Sequence, residues 1–411
     1  MSAIQDPAAP VPKSDGMLDV KDSVQPDNTQ QSSRAGSDAS AASFKSATDD
    51  PASSDATAGA EQEDDKGWKP PNGTLKTLLT RPVPEAKPPK PAPLSDEQEQ
   101  KYAAVLADVS TWTTIPTTTA NHAPQAPIED RERMWLTREC LLRYLRATKW
   151  STPNALRRLQ STLSWRREYG ADTFSHDYIS PENETGKQVV LGYDCDARPC
   201  LYLSPGKQNT KMSDRQIHHL AYMLDRLIDM LPPGQESTCL IINFKGAAGG
   251  SVPTVGQARA VLNILQGHNP ERLGRALISE LPWYVNTFFK LISSFIDPVT
   301  KEKMKFNPNN REWVPPMQLW KSAGGDLDFE YDHAAYWPAL DAECSKRRAA
   351  YRARWEKAGK QIGEYEEYLR GGNHPSLREV VGNKAKQGDV PAAGDATDPD
   401  QVAAQVGKMS V

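Results

Sequence analysis

The chain has 411 residues, a formal net charge of −4 and five cysteines. That charge excludes a global pull toward nucleic acid or acidic membranes, so any such attraction needs a local patch. Cys140, Cys195, Cys200, Cys239 and Cys344 form no CxxC pair and no zinc-like spacing to histidine, which reads as reduced thiols, with Cys195 and Cys200 astride a tight turn as a minor redox alternative.

Residues 1 to about 68 hold almost no large apolar side chains and are expected to be disordered, because they cannot bury enough surface to offset chain entropy. The proline-rich stretch from Arg81 to Pro93 predicts an extended linker, with an SH3-ligand role as a lesser alternative. The start is polar and lacks an apolar h-region, so no secretory signal is expected. No stretch approaches the ~20 apolar residues of a membrane span, since Asn286 and Lys290 interrupt the longest candidate, 283–296; a soluble, cytoplasmic protein is expected.

A short helix is predicted over 95–109, with Ser95 as cap and Tyr102 and Leu106 on one face. A second begins at Thr137 and turns Leu141, Leu142 and Leu145 toward a core, with Arg143 and Arg146 on flanking faces. Thr152-Pro153 reads as N-cap plus first-turn proline of a third helix, which carries Leu156, Leu159 and Leu163 and stops at Gly170. Strand signals follow at 188–192 and 200–203, joined by a turn holding Asp194, Asp196 and Pro199, which predicts a hairpin. Ser213 and Gln216 read as a capping box for a helix with Ile217, Leu220, Leu224, Leu227 and Leu231 as a buried stripe. The apolar run 239–244 suits a strand buried on both faces, and a helix with Val255, Ala258, Leu262 and Leu265 leads to a second such strand at 276–278. Strand, helix, strand is a parallel βαβ unit, so the class is α/β.

No catalytic constellation rises above background. The loop from Gly246 to Gly250 fits neither GxGxxG nor a P-loop, Ser251 lacks a GxSxG elbow, and adjacent His218 and His219 diverge on their helix. An α/β hydrolase or phosphatase would need a nucleophile and base that are not found, and no cofactor or metal is implied. More informative is the stretch from Gln266 to Phe306, in which polar clusters flank a segment dense in Trp283, Tyr284, Val285, Phe288, Phe289, Leu291, Ile292 and Phe295. Such a segment is either fully buried or faces lipid on one side, and the pattern alone favours burial. Residues 346–355 form a basic helix candidate with interleaved aromatics, either a contact with anionic membrane or a solvated face.

These residues resemble a known family. Leu141 to Trp150, followed by Trp165 to Gly170, is similar to the N-terminal signature of CRAL-TRIO lipid-transfer proteins. Gly192-Tyr193-Asp194, Ile241 to Gly246, Pro270-Glu271-Arg272-Leu273-Gly274, Asp297-Pro298-Val299-Thr300 and Gly324-Gly325 complete the family's order. The likeness is strongest to fungal phosphatidylinositol transfer proteins of the pleiotropic drug (azole) resistance type, through the stretches 182–189, 205–211 and 336–340. It departs from the family at Asn243, where an acidic residue is usual, and at Thr148, where a basic one is.

The resemblance implies a helical N-terminal lobe and a lipid-binding lobe whose mixed, mainly parallel sheet floors an apolar pocket closed by a gate helix. It implies the following organisation: 1–94 disordered with the proline-rich linker, 95–172 helical lobe, 173–345 lipid-binding domain, 346–381 helical extension and 382–411 loose tail. It places the inositol phosphate headgroup on Glu271 and Lys303, with Thr300, Asp297, Arg143 and Arg272 nearby, and the gate on Trp283, Phe288, Phe289 and Phe295. Cationic Lys303 and Arg143 suit phosphate, while Glu271 and Asp297 suit inositol hydroxyls. The implied partners are phosphatidylinositol, sterol as a second ligand, transient membrane or lipid-droplet surfaces and, if the protein is a sensor rather than a carrier, a phosphatidylinositol kinase; nucleic acid is not implied.

Overall fold

The computed structural model describes residues 69, 71–211, 213–247, 255–283, 285, 287, 296 and 298–386. Helix α1, Asp96–Ser110, opens with a reciprocal cap: Ser95 Oγ accepts from the Gln98 amide at 3.3 Å, and the Gln98 side chain accepts from the Ser95 amide at 3.0 Å. A two-stranded hairpin, β1 (Thr114–Pro116) with β2 (Gln125–Pro127), and helix α2 (Asp130–Trp135) follow. Thr137 caps α3 (Arg138–Ala147) by accepting from the Cys140 amide at 3.1 Å. Helix α4, Thr152–Tyr169, starts one residue earlier than predicted, with Ser151 at the N-cap position and Pro153 in the first turn. The shift is tolerated because first-turn amides have no intrahelical partner, so a proline there loses nothing. Val105, Val109, Leu141, Leu145, Leu159 and Leu163 close this lobe's core.

Among the described residues, the α/β lobe has five strands in the order β3-β4-β5-β6-β7. β3 (Gln188–Tyr193) and β4 (Pro199–Leu203) form the expected antiparallel hairpin; β5 (Thr238–Asn243), β6 (Leu273–Ser279) and β7 (Met304–Phe306) extend it in parallel. Asp194 shapes the hairpin turn by accepting from the amides of Asp196 and Arg198, both at 2.9 Å. Helices α5 (His176–Asn183), α6 (Asp214–Asp229) and α7 (Val255–Leu262) come from the same lobe, α7 running into a π-turn over Asn263–His268. The predicted capping box before α6 does not form: Ser213 makes no side-chain cap, and Gln216 donates instead to the Lys211 carbonyl at 3.0 Å. Its stripe is also incomplete, for Leu224, Leu227 and Leu231 are buried whereas Ile217 and Leu220 are only half-buried.

Two boundaries are corrected. The linker is not loose from residue 71 onward: Leu75 bridges to Phe329, and Leu78, Val83 and Ala86 are buried. Its carbonyls are used as well, Thr80 accepting from the Tyr193 hydroxyl at 3.1 Å and Arg81 from Gln318 at 3.2 Å. Three buried apolar side chains and paired carbonyls outweigh the local preference of a proline-rich chain for solvent. The division at 345/346 also fails, because one helix, α9, spans His333–Lys357 across it. Beyond α9, α10 (Glu366–Leu369) and Ile362 return to the N-terminal lobe, where the Gly363 amide donates to Leu136 and Arg138 to Glu364. Helix α8, Pro298–Lys303, precedes β7, and α11 covers Leu377–Lys386. All five cysteines are free, and only Cys195 is exposed.

Candidate functional site

The strands of the sheet alternate their side chains between two faces. On one face Tyr202, Ile241, Leu277 and Lys305 stand in register across β4 to β7. This face is closed: Tyr202 packs edge-on against Trp320 and its hydroxyl accepts from the Trp320 amide, while Arg275 and Lys305 lie over Trp313. On the other face two apolar rows cross the same four strands. Leu201, Leu240, Ala276 and Met304 form one; Leu203, Ile242, Ile278 and Phe306 form the next. Together they span roughly 14 Å across the strands.

The two rows differ in cover. Leu240 is buried beneath Leu224 and Ile228 of α6, with Leu265 and Leu273 closing a small void around it. Toward the strands' C-terminal ends the cover is uneven: Leu203 and Ile242 are half-buried, Ile278 is fully buried and Phe306 is 50% exposed. Trp283, 80% exposed, and Val299 stand in the segments that flank this end, while Val285 and Ile296 are buried. Residues 283, 285 and 287 are helical, and Thr287 Oγ1 donates to the Trp283 carbonyl at 3.1 Å. Phe288, Phe289 and Phe295 of the expected gate, and Asp297 of the expected headgroup site, lie outside the described residues.

The expected headgroup residues that are described stand in two places, Glu271, Arg143 and Arg272 at the start of β6 and Thr300 and Lys303 on the helix before β7. Glu271 stands between the π-turn and β6 with φ 58, a left-handed conformation that costs a residue with a Cβ about 1 kcal/mol. Its carboxylate accepts from Arg146 Nε at 2.5 Å, and Arg146 Nη2 also reaches Glu236 at 3.0 Å. Lys303 ends α8 immediately before Met304, which pairs with Ala276, so it lies about 13 Å further along β6 than Glu271. Thr300 is one turn earlier in α8, half-buried.

Arg143 is not on a flanking face, as expected, but 2% exposed. Its guanidinium donates to Glu366 at 2.6 Å and Glu236 at 3.0 Å. Arg272 joins the same group, donating to the Glu236 carbonyl at 2.8 Å and lying 3.4 Å from Glu366. Burial opposes ionisation of Glu366, but Arg143, Arg272 and Arg370 hold its carboxyl well below the usual range. Nearby Glu139, which accepts from the Glu366 amide at 2.7 Å, is pushed up to about 7 by burial and by the Glu366 charge. The Pro270-Glu271-Arg272 motif therefore ties the N-terminal lobe and α10 to β6. Sequence reasoning missed Glu236 and Glu366, because Arg143 meets them across 93 and 223 positions and its burial is not visible in a helical wheel.

Other motifs acquire plain structural roles. Asn243 closes an Asx turn, accepting from the Lys245 amide at 2.8 Å. Thr148 donates to the Tyr144 carbonyl at 2.8 Å at the end of α3. The stretches 182–189 and 205–211 meet at fully buried Glu182, which accepts from Lys187 at 2.7 Å and Thr210 at 2.6 Å, with Arg215 at 3.0 Å. His218 and His219 do diverge: His218 stacks on Phe174, whereas His219 is fully buried, and burial pushes its imidazole down to about 3.

Residues 183–325 match the CRAL/TRIO domain and residues 101–161 the CRAL/TRIO N-terminal domain. A CRAL-TRIO domain-containing protein of Schizosaccharomyces pombe is 50% identical over 306 residues, covering 74% of this chain but only 30% of that protein. The phosphatidylinositol transfer protein PDR17 of Saccharomyces cerevisiae is 37% identical over 324 residues, covering 74% of this chain and 92% of that one. The SEC14 cytosolic factor of Yarrowia lipolytica is 28% identical over 189 residues, 41% of this chain and 38% of that protein. The solved structure of Sfh5 covers 54% of this chain and 84% of its own at 12% identity, with a TM-score of 0.39. With both of the family's domains matched in order, and near-complete coverage of a relative more than a third identical, this chain belongs to the CRAL-TRIO family of lipid-binding and lipid-transfer proteins.

Proposed function

We propose that this chain takes one phosphatidylinositol molecule onto the open face of its sheet and carries it between membranes, acting as a carrier and not as an enzyme. The observation that carries this reading is the second apolar row, in which Leu203 and Ile242 are half-buried, Ile278 is buried and Phe306, on the last strand, is 50% exposed. A surface of this kind in water is unfavourable unless something apolar can cover it. An acyl chain gains about 0.8 kcal/mol per buried methylene, and a bilayer offers the same gain, so exchange between the two is near balance. The likeness to a phosphatidylinositol transfer protein supports the choice of lipid.

In this reading Glu271 and Lys303, with Thr300 and Asp297, hold the inositol phosphate, and the segment from Trp283 to Phe295 is the gate that opens at a membrane surface. Glu271 must then exchange Arg146 for inositol hydroxyls, a trade between two charge-assisted partners. Arg143 and Arg272 stay in the seam, because withdrawing either leaves Glu366 buried with less compensation.

Native mass spectrometry of the full chain, with extraction and identification of bound lipid, tests this. One phosphatidylinositol per chain, lost in Glu271→Ala/Lys303→Ala, is the expected result. A bound sterol retained by that variant overturns the choice of lipid. A chain that stays empty after incubation with phosphatidylinositol, phosphatidylcholine and sterol vesicles overturns the carrier reading.

A further inference from the structure

The basic segment of α9 is not explained by lipid carriage. It borders a cleft of about 1000 Å³ walled by α2, α3, α4, α6, α9, α10, residues 80–82 and residues 268–272. Among the described residues, twelve arginines and lysines line it against five carboxylates, in a chain whose net charge is −4. Each of those carboxylates already faces a cleft arginine: Asp172 and Asp225 pair with Arg166, Asp229 with Arg226, Glu343 with Arg347 and Glu366 with Arg143. The acids therefore leave a cationic excess facing one concave volume. Arg348 and Arg352, one turn apart on α9, are exposed at its rim. On its floor Arg370 donates through Nη1 to the carbonyls of Ile228 and Leu231, at 3.0 and 3.3 Å. Its Nη2 lies 3.8 Å from Glu366, and the side chain is only 9% exposed.

We propose that this cleft is a second ligand site, separate from the lipid floor, that binds a compact anion bearing several phosphate groups, either free or as a phosphorylated lipid headgroup. Planar guanidinium forks match phosphate oxygens bidentately, and arginine is the cation most readily desolvated against such a group. Arg370, itself a lining residue, adds a further guanidinium to this set. The cations surround a pocket of small-molecule size, where a flat bilayer or a duplex would reach only the rim. The site does not depend on the identity of the lipid carried on the sheet.

The test is calorimetric titration of the full chain with inositol hexakisphosphate at physiological salt. A parallel flotation assay uses phosphatidylcholine vesicles with or without phosphatidylinositol bisphosphate. The wild-type chain binds the soluble anion at one site. Arg348→Glu/Arg352→Glu, both exposed and so compatible with folding, weakens binding by at least roughly tenfold, as two lost surface cations predict. Arg370→Gln weakens it as well, with circular dichroism and melting confirming the fold of both variants. Arg157→Glu, an exposed charge on α4 outside the cleft, leaves binding unchanged. Soluble binding without flotation identifies a free polyphosphate; flotation on bisphosphate vesicles that the soluble anion competes away identifies a headgroup; either supports the site. No binding of the soluble anion overturns it. So does equal weakening by Arg157→Glu, or flotation on phosphatidylserine vesicles alone.

Discussion

The two faces of the sheet are built from the same strands and differ residue by residue. Ile241 and Ile242 are neighbours in β5, equally apolar and equally suited to a strand. Ile241 is 2% exposed beneath the segment that carries Trp313, Trp320 and Phe329; Ile242 is half-buried in a row that ends at exposed Phe306. The closed face is locked by polar detail: the Tyr202 hydroxyl on the Trp320 amide, the Trp320 indole on the Phe329 carbonyl at 2.8 Å, and the strap at Leu75 hydrogen-bonded to Asp328 at 2.8 Å. The open face has an inner apolar row that is covered and an outer one in which Leu203 and Ile242 are half-buried and Phe306 is exposed. Directional contacts make one surface permanent, and contacts without direction leave the other free to exchange its cover.

The strongest challenge concerns how far the locked part extends. If it crosses the seam into the N-terminal lobe, Arg143→Ala, which strands Glu366 among fewer cations, destabilises the fold by about 3–5 kcal/mol in urea unfolding. A variant of undiminished stability that loses only lipid would return Arg143 to the headgroup. The adjacent isoleucines give the sharpest contrast. Ile241→Ala should cost about 3 kcal/mol in the same assay, while Ile242→Ala should cost about 1 kcal/mol yet release lipid in native mass spectrometry. Equal stability losses at the two positions would erase the distinction between faces.

A smaller effect is expected at the strap. Leu78→Ala removes a side chain that is 7% exposed and should cost about 2 kcal/mol, with faster proteolytic cleavage between residues 71 and 94 as the readout. The smallest is a pH effect at the seam. Because the Glu139 carboxyl titrates near 7 when folded, above its ordinary value, the folded state binds the extra proton between about 4.5 and 7. Stability from this group therefore falls as pH rises through that window. Glu139→Gln should raise stability by about 1 kcal/mol at pH 8 and leave it unchanged at pH 4, as denaturant titrations at the two values would show.

Much of the architecture was legible in local patterns. The capped helix after Ser95, the Thr137 cap, the Asp194 turn and the parallel strands at 239 and 276 follow from side chains acting on their own backbone or from unbroken apolar runs. The strap was not legible, since nothing in a proline-rich stretch reveals that Phe329 waits for Leu75, or that Gln318 waits 237 residues beyond Arg81. Nor was the seam: Arg143 finds Glu366 across 223 positions. Its burial could not be read from a helical wheel, which assigns faces without saying what covers them.

By itself, then, the sequence determined the class, the order of strands and helices, the family, and which residues could be apolar floor or charged motif. Those properties rest on interactions within a few residues or on composition summed over a segment. Tertiary structure alone decided which of two adjacent isoleucines is sealed, that Arg143 and Arg272 join lobes, and that the basic helix closes over a cleft. Burial and ion pairing depend on what arrives from elsewhere in the chain, and that is settled only when the chain has folded.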